Sequence, residues 1–310
     1  MIVDLIFTLA GIFLLYLGAE LLVNGSIAIS KRLGISPMLI GMVVIGLGTS
    51  SPELVVSLQA ALIGSGEVAV GNIVGSNISN IALILGIAAL IVPIGVERSV
   101  IRIEVPVLIA ASLFMGYLLF DGMITRLNGL LLLACLAGYL LMAIRSHTAP
   151  VFSEETESRL EKFRTHWLLA GSLAGILLLV AGAHTMITGA LGLASIFQIS
   201  DTVIGLTLVA VGTSLPELAT AISASLRKQG DLIIGGLIGS NILNVLFVLG
   251  ITSAVSPLEI AGITWGDLAL MSLLAIVLWP VCRTGYVVSR TEGGLLLLLY
   301  AGYMIWVLVR

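Results

Sequence analysis

The sequence predicts an all-α polytopic membrane protein, with ten transmembrane helices in two inverted-topology five-helix repeats. Three observations carry this expectation. The 310 residues are 59% hydrophobic and 10% charged, with a mean hydropathy of +1.19, which leaves too few charges to cover a water-soluble surface. The apolar residues fall into runs of about 20, the length that crosses a bilayer core. Residues 1–146 also align on 165–310 without a gap, at a constant offset of 164. Gly18-Ala19 then meets Gly182-Ala183, Pro93 meets Pro257, Gly129 meets Gly293, and Gly138-Tyr139 meets Gly302-Tyr303.

The spans read in order as 3–24, 37–63, 68–92, 101–120, 126–145, 166–189, 202–226, 231–256, 263–283 and 291–309. The first carries Asp4 and no early Lys or Arg, unlike a cleaved signal peptide, so it is expected to stay. Links are short except between the halves. There Ser146-His147-Thr148-Ala149-Pro150 leads into Glu154, Glu155, Glu157, Arg159, Glu161, Lys162 and Arg164, which reads as a solvated linker or short surface helix. The chain therefore divides into a first repeat at 1–146, a linker at 147–165 and a second repeat at 166–310. Each repeat holds an odd number of spans, so the second enters the membrane upside down relative to the first. Lys31, Arg32, Arg98, Arg102, Arg145, Arg159, Lys162, Arg164, Arg227, Lys228, Arg283 and Arg290 fall on one side, and only Arg126 and Arg310 on the other. That bias makes the linker cytoplasmic and leaves both termini outside a multi-pass cell-membrane protein. The net charge of −3 gives no reason to expect nucleic acid. Cys135 and Cys282 lie in apolar runs without metal-ligand spacing and read as packing residues.

Spans 2 and 7 contain the stretch the chain is organised around. Gly48-Thr49-Ser50-Ser51-Pro52-Glu53 returns as Gly212-Thr213-Ser214-Leu215-Pro216-Glu217. Each proline lacks an N–H and collides with the carbonyl four residues back, here on Gly48 and Gly212. In lipid such a carbonyl must face protein or a polar cavity. A charge at the bilayer centre costs about 2.5–3.5 kcal/mol on insertion scales. Two broken helices with a carboxylate at each break thus point to one polar, cation-binding site. Thr49 and Ser50 share a helix face with Glu53, as Thr213 and Ser214 do with Glu217. Spans 3 and 8 add Gly71-Asn72-Ile73-Val74-Gly75-Ser76-Asn77-Ile78-Ser79-Asn80 and Gly235-Gly236-Leu237-Ile238-Gly239-Ser240-Asn241-Ile242-Leu243-Asn244. Ser76 and Asn80 share a face, as do Ser240 and Asn244. Gly71/Gly75 and Gly235/Gly239 are small-residue pairs that let a neighbouring helix approach. The donors are all hard oxygens, of the kind Ca²⁺ collects six to eight at a time. No His or Cys cluster recruits a softer metal. Two glutamates neutralise one Ca²⁺ or two Na⁺, so the two ions can compete for the same charge.

At these residues the sequence resembles the cation/calcium exchanger superfamily, specifically its sodium/calcium exchanger branch and the ten-span prokaryotic members. The resemblance implies an antiporter, not an enzyme, that exchanges Ca²⁺ for Na⁺ by alternating access through helices 2, 3, 7 and 8. It implies that Glu53 and Glu217 bind Ca²⁺ and Na⁺ in turn, with Thr49 and Thr213 giving backbone oxygens beside Ca²⁺. Ser50, Ser76, Asn80, Ser214 and Ser240 would serve Na⁺, helped by the carbonyls of Gly46 and Ala210. Asn244 stands where potassium-dependent relatives carry Asp, which argues against K⁺ co-transport. The G-T-S-x-P-E form favours Na⁺ over H⁺, and a Ca²⁺/H⁺ exchanger is the alternative. In that case the two glutamates would exchange protons at working pH. An intramembrane protease fits poorly with Glu directly after Pro in mirrored helices. A channel fits poorly with two broken helices around buried anions. The transported ions and the lipid bilayer are the expected partners, with no organic cofactor, and the chain is expected to work as a monomer. The resemblance also makes spans 1 and 6 a sliding gate, with Glu20 and His184 at matched positions in an interfacial or gating role. Asp121, Asp201, Asp231, Glu67 and Asp267 fall at helix ends and are expected to be solvated.

Overall fold

The computed structural model describes residues 2–146, 163–196, 212–259 and 265–309. Helix α1 spans Ile2–Leu33. Helix α2 is broken into Pro37–Thr49 (α2a) and Ser51–Leu62 (α2b), which meet at a 43° bend. Then follow α3 (Gly66–Ile91), α4 (Val100–Leu118) and α5 (Arg126–Ser146). The second half gives α6 (Thr165–Ile196), α7 (Leu215–Leu226), α8 (Gly230–Val255), α9 (Trp265–Arg283) and α10 (Arg290–Val309). Among the described residues eight helices are long and apolar enough to cross a membrane, or nine with the broken pair counted as one. The seventh expected span is described from Gly212 onward, and α7 is its second half.

Local chemistry explains the joints. Ser36 accepts the backbone N–H of Leu39 at 3.2 Å, and Pro37 occupies the first turn of α2a, where its missing N–H costs nothing. The turns after α2 and α4 need a left-handed residue, supplied by Gly64 (φ 78°) and Gly122 (φ 71°). At the matched positions of the second repeat stand Lys228 (φ 56°) and Tyr286 (φ 57°). Residues with a Cβ are uncommon in that region. The repeats therefore share a backbone path that survives loss of the residue best suited to it.

Two short antiparallel pairings show the inversion. Strand β1 (Ile94–Gly95) follows α3, β2 (Met123–Ile124) follows α4, β3 (Leu258–Glu259) follows α8 and β4 (Val287–Val288) follows α9. By the repeat, β1 corresponds to β3 and β2 to β4. The pairs formed are instead β1 with β4 and β2 with β3. The loop after the third helix of one repeat thus lies beside the loop after the fourth helix of the other, with a membrane span between corresponding loops.

Helices α3 and α8 form the centre. In their most apolar windows 78% and 94% of residues are buried, against 22% for α1 and 22% for α6. Those two outer helices pack on each other backbone to backbone. A Cβ built on Gly18 would sit 2.8 Å from the carbonyl oxygen of Gly175, and one on Gly182 would sit 2.7 Å from the amide of Leu15. Small-residue contact of this kind joins helices where water gives no apolar driving force. Gly235 and Gly239 bring α2a against α8 in the expected way: added Cβ atoms would lie 2.5 Å from the Met38 carbonyl and 2.6 Å from Met42 Cα. For Gly71 and Gly75 no described atom lies within 4 Å of an added Cβ.

Candidate functional site

Pro52 stands at the break in α2, and Pro216 stands in the first turn of α7. Ser50 (φ −78°, ψ 4°) and Ser214 (φ −88°, ψ 8°) leave helical geometry, and Glu53 and Glu217 enter the first turn of the helices that restart. That turn carries unsatisfied N–H groups and the positive end of the helix dipole, which favours an anion. Immediately beside the site, α3 and α8 widen into π-type turns at Ser79–Ile84 and Asn244–Val248. Turns of that kind cluster at functional positions.

Of the expected residues of α2, α3, α7 and α8, the structure groups Glu53, Ser76 and Thr213 beside Glu217, Thr49, Ser50 and Ser240, while Asn80 and Asn244 make their contacts with Asn241 and Asn77. Glu53 is fully buried and Glu217 is 2% exposed. Ser76 donates to Glu53 Oε1 at 3.3 Å and lies 3.5 Å from the Thr213 hydroxyl. Thr213 donates in turn to Asn72 Oδ1 at 3.2 Å. On the other side Thr49 donates to the Ile45 carbonyl at 3.0 Å and lies 3.3 Å from the Ser240 hydroxyl. Thr49, Ser50 and Ser240 stand around Glu217 without a hydrogen bond of normal geometry reaching its carboxylate oxygens. The Gly46 carbonyl accepts the Ser50 N–H at 3.0 Å, so one of its lone pairs is taken. Ala210 lies outside the described residues, as does Asp201.

Among the described residues, seven buried oxygens of the expected set have no hydrogen-bond partner: Ser50 Oγ, Ser214 Oγ, Glu53 Oε2, both carboxylate oxygens of Glu217, Asn80 Oδ1 and Asn244 Oδ1. Leaving one buried acceptor unmade costs about 1–3 kcal/mol, more when it is charged. A fold keeps such a concentration of orphaned acceptors where something positive neutralises them. The donor set consists of hard oxygens and fits an alkali or alkaline-earth cation as cargo.

The sequence reading missed some of the architecture. Asn72, Asn77 and Asn241 were visible only as motif residues. Asn72 donates to the Glu53 carbonyl at 3.2 Å and to Ser57 Oγ at 3.0 Å. Its counterpart is Gly236, so the Glu217 side has no such brace. A small cavity opens there between Glu217, Thr49, Ala221 and Gly236. The fully buried Glu104 was also missed; it accepts the Tyr139 hydroxyl at 2.6 Å. Asp267, expected to be solvated, is instead buried and accepts the Tyr303 hydroxyl at 3.1 Å. Tyr139 and Tyr303 are repeat partners, so each scaffold half pairs a buried acid with the same tyrosine. Asp121 and Glu67 are exposed and Asp231 is half-buried. Cys282 is buried, whereas Cys135, expected to be a packing residue, is exposed on α5. The matched pair Glu20 and His184 diverges. Glu20 on α1 accepts Ser223 Oγ of α7 at 2.8 Å and forms an ion pair with Arg227, while His184 is exposed on α6.

Inverted repeats, a broken helix at the centre and a set of buried oxygens on the four central helices define a class: a multi-pass membrane transporter that exchanges cations. The chain belongs to the sodium/calcium exchanger protein family, which matches residues 3–145 and 167–309. It is 38% identical to CaxA of Alkalimonas amylolytica, over 98% of both chains. It is 28% identical to the sodium/calcium exchanger MaX1 of Methanosarcina acetivorans, also over 98% of both. Its fold superposes on the sodium-calcium exchanger NCX_Mj, soaked with 2.5 mM Na⁺ and 1 mM Sr²⁺, with a TM-score of 0.86 and 30% identity over 98% of each chain.

Proposed function

We propose that the protein exchanges Ca²⁺ for Na⁺ by alternating access, through a site formed by Glu53, Glu217, Thr49, Thr213, Ser50, Ser214, Ser76, Ser240, Asn80 and Asn244, with carbonyls from Gly46 and Ala210. The observation that carries this reading is the pair of buried carboxylates, Glu53 and Glu217, set among hard oxygen donors, several of which lack a hydrogen-bond partner among the described residues. Two carboxylates balance one Ca²⁺ or two Na⁺, and the neutral amide and hydroxyl oxygens leave room for a further Na⁺. A third Na⁺ per Ca²⁺ makes each cycle move one net charge, worth about 2.3 kcal/mol per 100 mV. Asn80 and Asn244 are neutral amides and lend no further charge, so K⁺ acts only through the potential. The orientation that goes with this reading places both termini outside and the 147–165 linker in the cytoplasm. The names of MaX1 and NCX_Mj agree with Na⁺ and Ca²⁺ as the ions.

The test is radiolabelled Ca²⁺ uptake into proteoliposomes, with the potential clamped at several values and a Na⁺, K⁺ or pH gradient as the only driving force. The expected result is uptake that needs internal Na⁺ and shifts with voltage. Uptake that ignores both and follows the pH gradient replaces this reading with Ca²⁺/H⁺ exchange, in which the two glutamates carry the protons.

A further inference from the structure

Asn77 and Asn241 lie next to the candidate site and contribute no atom to the seven orphaned oxygens. Their contacts cross between the repeats. Asn244 donates its amide nitrogen to Asn77 Oδ1 at 3.1 Å, and Asn80 donates to Asn241 Oδ1 at 3.2 Å. The two bonds are mirror images under the repeat: Asn80 corresponds to Asn244 and Asn77 to Asn241. Asn77 also donates to the backbone carbonyl of Asn241 at 3.3 Å.

We propose that Asn77 and Asn241 are positioning residues for ion selectivity: each holds the NH₂ end of the other repeat's site asparagine, so that only amide oxygens are offered to the cation. The logic runs from the group that cannot change. A backbone carbonyl only accepts, so the Asn241 carbonyl fixes the Asn77 amide with its nitrogen toward it. Asn77 Oδ1 is then forced toward Asn244. An acceptor there attracts the NH₂ of Asn244 and repels its oxygen, so Asn244 Oδ1 is left facing away, without a partner and fully buried. Asn241 holds Asn80 in the same sense. A primary amide is nearly symmetric in shape, and a half-turn would present two N–H groups where the cation needs an oxygen. Packing alone does not choose between these orientations; the cross-repeat bonds do. The arm through Asn77 is the firmer one, because Asn77 is itself pinned by a carbonyl, whereas Asn241 Nδ2 has no partner among the described residues.

This inference rests on the proposed cation site, and its test separates the two. Asn77→Leu keeps the branched shape and removes the acceptor; Asn241→Leu does the same on the other arm, and Ala replaces Leu at either position if the bulkier methyl groups prevent folding. Each is measured alone and combined with the alanine variant of its target, Asn77→Leu with Asn244→Ala and Asn241→Leu with Asn80→Ala. The readout is Ca²⁺/Ca²⁺ exchange in proteoliposomes, which needs ion binding but no particular driving ion, together with its inhibition by Na⁺. Loss of one neutral hydrogen bond corresponds to a rise of about three- to tenfold in the half-saturating concentration of Ca²⁺ or Na⁺, with the maximal rate within about twofold. The rise is expected to be larger for Asn77→Leu and to vanish once the target is already alanine, because the residue acts only through that target. Wild-type half-saturation in both Leu variants, or an undiminished effect in the alanine backgrounds, overturns the clamp. If Asn80→Ala and Asn244→Ala are themselves silent, the site reading fails, and the clamp fails with it.

Discussion

Glu217→Gln isolates the charge balance of the site. Glu217 is 2% exposed, and among the described residues neither carboxylate oxygen has a hydrogen-bond partner, so on the proposed reading a bound cation is what balances its charge. Gln keeps the shape and one oxygen while removing the charge. Breaking a buried ion pair by neutralising one partner costs about 3–5 kcal/mol. At about 1.4 kcal/mol per decade that is a loss of about a hundred- to several-thousandfold in Ca²⁺ affinity. The folded state without ions loses nothing comparable, since the replaced group was buried without a partner. The assay is thermal denaturation of detergent-solubilised protein with and without Ca²⁺, alongside uptake. At about a hundred times its dissociation constant, Ca²⁺ stabilises wild type by about 2.7 kcal/mol. Glu217→Gln is expected to melt no lower than wild type without Ca²⁺, to show no Ca²⁺-dependent rise, and to transport none. A variant that keeps the Ca²⁺-dependent rise and near-normal uptake would falsify the assignment of Glu217 to the site.

Other outcomes follow from the packing and the charge bias. Gly235→Ala places a Cβ 2.5 Å from the Met38 carbonyl and is expected to lose about 1–3 kcal/mol of stability, whereas Gly236→Ala meets only the Ile45 side chain at 3.4 Å and should melt like wild type. Equal melting temperatures for the two would contradict the close approach of α2a to α8. Cysteines placed within 147–165 are expected to resist an impermeant thiol reagent in intact cells, while tags at both termini are accessible. External labelling of the linker would show the reverse orientation.

Much of the fold was legible because the bilayer removes alternatives. Backbone groups in lipid must be satisfied within a helix, so hydropathy located the spans, and the 164-residue repeat with an odd span count gave the inversion. The candidate site stood out for the same reason: Pro52-Glu53 and Pro216-Glu217 are costly in a membrane unless they serve a polar centre. Glu104 carried the same signal but has no acid at its exact repeat position, where Leu268 stands, and the neighbouring Asp267 was read as a helix end. Both are paired by tyrosines whose repeat match was already visible.

The sequence by itself determined composition-driven features: which segments are apolar enough to enter a membrane, where Lys and Arg gather along the chain, and which oxygen donors the four central segments carry. Only the tertiary structure decided relations between segments distant in the chain. It set Asn77 against Asn244 and Asn80 against Asn241, joined Glu20 to Arg227 across α1 and α7, and left Glu217 without the brace that Asn72 gives near Glu53. The physical reason is that hydropathy is a property of each segment taken alone. Which end of an amide faces an ion depends instead on a single hydrogen-bond partner more than 160 residues away, brought near only when the repeats close on each other.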